Sequence, residues 1–124
     1  MPEPEIIDPE TFAGFLDSLG GDVDFLSEMV EAYLTSSAEL FAGMQQAIAA
    51  GEAPALQRAA HSLKSGSASF GALAFAAQCK ELEDIGRSGV LDGAHEKFRR
   101  LEAAYTAVVL ALQDRMQRAR SAPA

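Results

Sequence analysis

Apolar side chains recur every three or four residues along almost the whole chain, and that spacing admits only helices packed side by side. A short first helix is predicted from Asp8-Pro9-Glu10, with Asp8 as its cap and Pro9 at the first helical position. Phe12, Phe15, Leu16 and Leu19 form its apolar side, and Gly20-Gly21 end it. Asp22 caps a second helix that carries Leu26, Met29, Val30, Tyr33, Leu34, Leu40, Phe41, Met44 and Ile48 inward as far as Gly51. A third helix is expected over Pro54–Ser69, with a tight joint at Phe70-Gly71. A fourth is expected over Ala72–Arg87, buried through Phe75, Cys79, Leu82 and Ile85. After the break at Ser88-Gly89, a fifth runs over Asp92–Arg118, with Phe98, Leu101, Tyr105, Val108, Val109, Leu112 and Met116 inward. No β-type alternation occurs. The expected architecture is all-α: an antiparallel four-helix bundle with a short additional N-terminal helix. It occupies residues 8–118, between an N-terminal tail (1–7) and a C-terminal tail (119–124) whose last residues from Ser121 are expected to be loose.

The chain's 124 residues make one domain with a real core. Its formal net charge of −8 argues against nucleic-acid binding, which needs a basic face. The charge is unevenly spread. Residues 1–57 hold eleven acidic side chains and no Lys or Arg, whereas residues 58–124 hold seven acidic and ten basic. An anionic ligand or acidic partner is therefore expected to meet the second half, unless the drift only reflects solvated helix faces. One cysteine and two histidines leave little for a zinc site, and Cys79 reads as a reduced core thiol. The start, MPEPEIIDPE, lacks the apolar segment of a signal peptide, and no apolar run reaches membrane-span length. The expectation is a cytoplasmic protein with no membrane contact.

On a wheel of the third helix, with His61 at 0°, Leu56, Leu63 and Phe70 fall at about 220°, 200° and 180°. His61 is thus expected opposite the core, facing solvent. Gln57, Arg58, Lys64, Ser65 and Ala68 lie within about 60° of it. Lys64, one turn on and read as exposed, puts a cation within reach of an anion on the imidazole, and small Ser65 and Ala68 leave room for another protein's surface. An accessible imidazole beside a cation suits a nucleophile that carries a phosphoryl group; the alternative is a surface histidine without a role. Gly66, at about 140°, faces the neighbouring helices and allows them close approach. No carboxylate shares the His61 face of this helix, which speaks against a Ser-His-Asp type of triad. The Gly/Ser-rich stretch Ser65–Gly71 matches neither the P-loop nor the dinucleotide fingerprint, and His95 reads as a solvated surface residue.

The run His61-Ser62-Leu63-Lys64-Ser65-Gly66-Ser67-Ala68-Ser69-Phe70-Gly71-Ala72 resembles the signature of histidine-containing phosphotransfer (HPt) domains, roughly H-x-L-K-[G/S]-x-[S/A]-x-x-x-G-[A/L]. Cys79-Lys80-Glu81-Leu82-Glu83-Asp84-Ile85-Gly86-Arg87 resembles the family's next helix, and Leu19-Gly20-Gly21-Asp22 through Phe25-Leu26 its entry to the second. The resemblance spans roughly residues 8–118. It implies that His61 is the phosphoacceptor, through Nε2, and that Lys64 stabilises the phosphoryl group. It places Glu83 and Arg87 beside the histidine on the facing helix, Arg87 to contact the anion or the partner. Gln57, Arg58, Ser65, Ala68 and Glu83 are then expected to contact the partner. Ser65 stands where many members have Gly, and Glu83 where many have Gln. Helix geometry agrees on the register. His61 lies ten residues before the turn at Gly71, about 15 Å along its helix, and Glu83 twelve after it, about 18 Å, so an antiparallel pair brings them nearly level.

The resemblance implies a phosphorelay intermediate, a phosphotransferase-like carrier that is not a self-sufficient kinase. His61 is expected to take a phosphoryl group from a receiver domain's phospho-aspartate and pass it to another receiver. The chain shows no acidic cluster on the His61 face and no ATP motif, so it is expected to have no cofactor or metal of its own, with Mg²⁺ held in the partner receiver domain. The expected partners are response-regulator receiver domains and a hybrid histidine kinase, met by a monomer. The absence of kinase segments suggests a stand-alone carrier, with an excised piece of a hybrid kinase as the alternative. The competing functions are a docking module of the same fold that binds receivers without transfer, and a hydrolase using His61.

Overall fold

The computed structural model describes residues 5–122. Its helices are α1 (Pro9–Ser18), α2 (Val23–Ala50), α3 (Ala53–Ser69), α4 (Leu73–Ser88) and α5 (Ala94–Ser121), and no strand occurs among the described residues. The caps form as the sequence dictates. Asp8 accepts the Thr11 N–H at 3.0 Å and the Thr11 hydroxyl at 2.6 Å, and Asp22 accepts the Phe25 N–H at 3.0 Å. Each meets a donor that a helix start leaves unpaired.

Helices α2 to α5 close into a bundle in which α2 packs on α3 and α5, and α4 packs on α3 and α5, while α1 lies against α3. Leu26, Met44, Leu56, Leu63, Leu82, Leu101 and Leu112 are fully buried at its centre. Aromatic rings tie the layers together. Phe70 at the end of α3 meets Phe15 of α1 edge-on at 5.3 Å between ring centroids and Tyr33 of α2 at 5.2 Å. Tyr105 of α5 lies 4.9 Å from Phe41 and 5.8 Å from Phe75. The polar atoms taken inside are matched: the Tyr33 and Ser67 hydroxyls share a buried hydrogen bond of 2.7 Å between α2 and α3, and Ser37 donates to the Tyr33 carbonyl. Burial pushes the Cys79 thiol up to about 12, consistent with an unreactive core thiol.

Two glycines set the α3–α4 geometry on which the site rests. Gly71 takes a φ of +95°, and a Cβ there would lie 2.8 Å from the Asp8 carbonyl oxygen, so the turn and the start of α1 interlock; the Asp8 N–H donates back to the Gly71 carbonyl at 2.8 Å. Gly86 lets α4 rest on the backbone of α3, where a Cβ would lie 2.6 Å from Gln57 N and 2.9 Å from the Ala53 carbonyl oxygen. Gly66, as expected, faces a neighbour: a Cβ there would meet the Tyr33 ring at 3.3 Å.

The boundaries need correction. Ile7 is 2% exposed and belongs to the core, so the packed unit begins ahead of residue 8. Helix α5 starts at Ala94, because Leu91–Gly93 form a turn with Gly93 at a φ of +80°. It then continues through Ser121, so residues 119–121 are helix and not tail. Residues 1–4 and 123–124 of the expected tails lie outside the described residues. Ile85, Tyr105 and Val109 are half-buried, less deep than the periodicity alone suggests.

Because the atoms facing Gly86 are backbone, they cannot turn aside as a side chain could. Gly86→Ala should therefore force α3 and α4 apart and lower stability by about 1–3 kcal/mol, measured by urea unfolding.

Candidate functional site

His61 sits midway along α3 with its imidazole 59% exposed, as its place opposite Leu56, Leu63 and Phe70 requires. Its Nδ1 is turned toward α4, where Glu83 Oε2 lies 2.8 Å away. The other oxygen, Oε1, accepts from Lys64 Nζ at 2.5 Å. Arg87, one turn along α4, reaches Glu83 Oε2 at 3.4 Å and Asp84 Oδ1 at 3.0 Å. Lys80 also pairs with Asp84, at 3.1 Å.

Glu83 is the one buried acidic side chain among the described residues, at 3% exposure. Burial alone would raise its pKa. The Lys64 hydrogen bond outweighs that, with help from His61, and holds the carboxyl below its ordinary value of 4.5. Glu83 is therefore ionised and only accepts. The hydrogen of the His61–Glu83 bond then lies on Nδ1, and in the neutral imidazole the lone pair is on Nε2, the nitrogen turned to solvent.

Three expectations change here. The missing orienting carboxylate exists; it comes from the facing helix instead of from α3. Glu83, expected on the surface that meets a partner, is instead 3% exposed, its carboxylate enclosed by His61, Lys64 and Arg87. Lys64 is not a free exposed cation: it is 28% exposed and tied to that buried carboxylate. Arg87 lies beside the histidine with an open guanidinium, as expected from the register. Arg58 and Ser65 are exposed, Gln57 and Ala68 half-buried, and His95 exposed at the start of α5.

Two hollows flank the imidazole. A cleft of about 540 Å³ is lined by Pro54, Gln57, Arg58, His61, Ser62, Glu83 and Arg87. On the other side of Ser62, an apolar groove of about 400 Å³ runs between α1, α2 and α3, with Phe15, Met29, Tyr33, Leu40 and Phe70 in its walls. Pro54 and Ser62 are not among the residues that the sequence alone points to. The available signal for Pro54 is its position a full two turns before His61 on the same side. Among the described residues no three His, Cys, Asp or Glu side chains group as metal ligands, and no helix is long and apolar enough to cross a membrane.

The bundle thus presents an exposed histidine on α3 whose Nδ1 bonds a buried carboxylate that Lys64 and Arg87 also meet. The Hpt domain family matches residues 28–122, and the chain belongs to that family. This membership supports a role in histidine phosphotransfer within phosphorelays. The structure is similar to the crystal structure of histidine-containing phosphotransfer protein B (HptB) from Pseudomonas aeruginosa PAO1, with a TM-score of 0.83 and 28% identity over 94% of this chain and 98% of that one. No match is found among curated protein sequences.

Two outcomes are expected from the Glu83 geometry. A carboxyl whose folded pKa lies below its unfolded value stabilises the fold above about pH 4.5 and loses that contribution as pH falls through the folded value. The unfolding midpoint of the parent should therefore fall more steeply between about pH 5 and pH 3 than that of Glu83→Gln, followed by thermal melts. Lys64→Ala removes a charged partner from a buried carboxylate, so it should cost about 1–2 kcal/mol at neutral pH, more than an ordinary surface change, in a denaturant titration.

Proposed function

We propose that the protein relays phosphoryl groups between receiver domains through a phosphohistidine at His61. The single observation that carries this reading is the His61 Nδ1–Glu83 bond, which turns Nε2 to solvent and, in the neutral imidazole, leaves the lone pair there. The Nε2 lone pair attacks the phosphorus of a receiver's phospho-aspartate, an N–P bond forms, and the carboxylate leaves with the electrons of the broken O–P bond. The imidazole then carries phosphorus on Nε2 and hydrogen on Nδ1, so it is cationic. Glu83, already at 2.8 Å, meets that charge without moving. The reverse reaction passes the group to a second receiver. Mg²⁺ belongs to the receiver's side of the complex.

The receiver is proposed to dock over the α1–α2–α3 groove and the Ser65 and Ala68 side of α3. Phe15 and Met29 offer apolar area there, and the small Ser65 and Ala68 leave room for the receiver's surface beside His61. Gln57 and Arg58 would border the same contact. A cytoplasmic location and a monomeric state, with a hybrid histidine kinase upstream, complete the reading.

Incubation with a phosphorylated receiver separates the possible functions. Transfer gives an acid-labile, base-stable label on the chain. A docking module binds without label, and a hydrolase releases free phosphate. The expected result is labelling that His61→Gln abolishes while helicity, read by circular dichroism, stays intact. Labelling that persists in His61→Gln, or is lost instead in His95→Gln, would remove His61 from the role.

A further inference from the structure

We infer that Arg58 is the phosphoryl-binding arm of this site, closing on the group from α3 opposite Arg87 of α4, and that Lys64 acts on His61 through Glu83 as a positioning residue. The inference rests on the carrier reading and adds to it which side chains hold the anion.

Helical side chains lean toward the N-terminus of their helix, so the His61 ring lies over the preceding turn, which carries Gln57 and Arg58. The cleft agrees: Pro54, Gln57 and Arg58 line it on the α3 side, and Lys64 and Ser65 do not. Across the cleft, the contact of Gly86 with Gln57 and Ala53 sets the last turns of α4 level with the first turns of α3. That places the Arg87 guanidinium on the same opening. A phosphoryl group on the solvent-facing Nε2 therefore enters a space bordered by two guanidinium groups.

The charges point the same way. Lys64 is bound to Glu83, and Arg87 is shared between Glu83 and Asp84. Arg58 is exposed and makes no ion pair among the described residues, although it lines the same cleft. It is thus the cation that is available without breaking an existing pair. A phosphoryl group adds roughly −1.5 to −2 charges at neutral pH, and a guanidinium can meet two of its oxygens at once. For Lys64 to do the same, it would have to share the charge that already meets the buried Glu83 carboxylate.

The test needs no receiver at first. The full chain, in a His95→Gln background, is loaded with potassium phosphoramidate and followed by ³¹P and ¹H–¹⁵N NMR. The Arg58 Nε–H signal should shift on loading, and that of remote Arg118 should not. With a receiver present, Arg58→Gln should move the phosphoryl partition away from the chain by roughly threefold to tenfold, the scale of one partly exposed charge-assisted contact. Arg58→Lys should fall between, and neither variant should change the unfolding midpoint. An unmoved Arg58 signal with a shifted Lys64 ammonium signal would overturn the inference. So would an Arg58→Gln partition equal to the parent's. If neither phosphoramidate nor a phosphorylated receiver labels His61 in the unsubstituted chain, the carrier reading itself fails, and the inference with it.

Discussion

A carboxylate taken out of water is tolerated only where its charge is met, and Glu83 is met from three sides, by His61, Lys64 and Arg87. Much of the site depends on that single placement. The carboxylate holds the Nδ1 side of the imidazole and ties Lys64 across the α3–α4 seam. Its position depends in turn on how closely two helices approach. Were α4 held off α3 by an ordinary side chain at Gly86, the carboxylate would be drawn back and solvated, and His61 would be free to take either tautomer.

The bundle is legible in the sequence because apolar spacing and capping residues agree along the chain. Leu56, Leu63 and Phe70 put His61 on the outside, and the residue count to Gly71 puts Glu83 level with it. What stays hidden is the burial of Glu83. The apolar stripe of α4 runs through Phe75, Cys79, Leu82 and Ile85, which leaves a glutamate between them looking like a solvated residue. The face that actually packs on the bundle includes Ala76, Glu83 and Gly86, so small side chains and one acid belong to the inner surface while Ile85 turns partly out. Hydrophobicity does not register a face built of alanine and glycine. Backbone proximity does, and that is a property of two helices together.

The same limit explains Lys64. A wheel of one helix shows which residues share a face, but it cannot show that a facing helix supplies a carboxylate to one of them. Lys64 is legible as a neighbour of His61 and not as an anchored side chain. The apolar groove beside Ser62 is of the same kind. Phe15, Met29 and Tyr33 each satisfy the core pattern of their own helix, and only the assembled α1–α2–α3 corner leaves them lining a hollow.

The lone cysteine has a use that its surroundings dictate. Cys79 is fully enclosed at the centre of α4, one turn from Glu83, and its thiol ionises only near pH 12 in that setting. A thiol reagent can reach it only when α4 separates from its neighbours. The rate at which the unaltered protein is alkylated at neutral pH therefore reports how much of the time the helices carrying the histidine site stand apart, wherever reclosing is faster than alkylation, with no label to be engineered in.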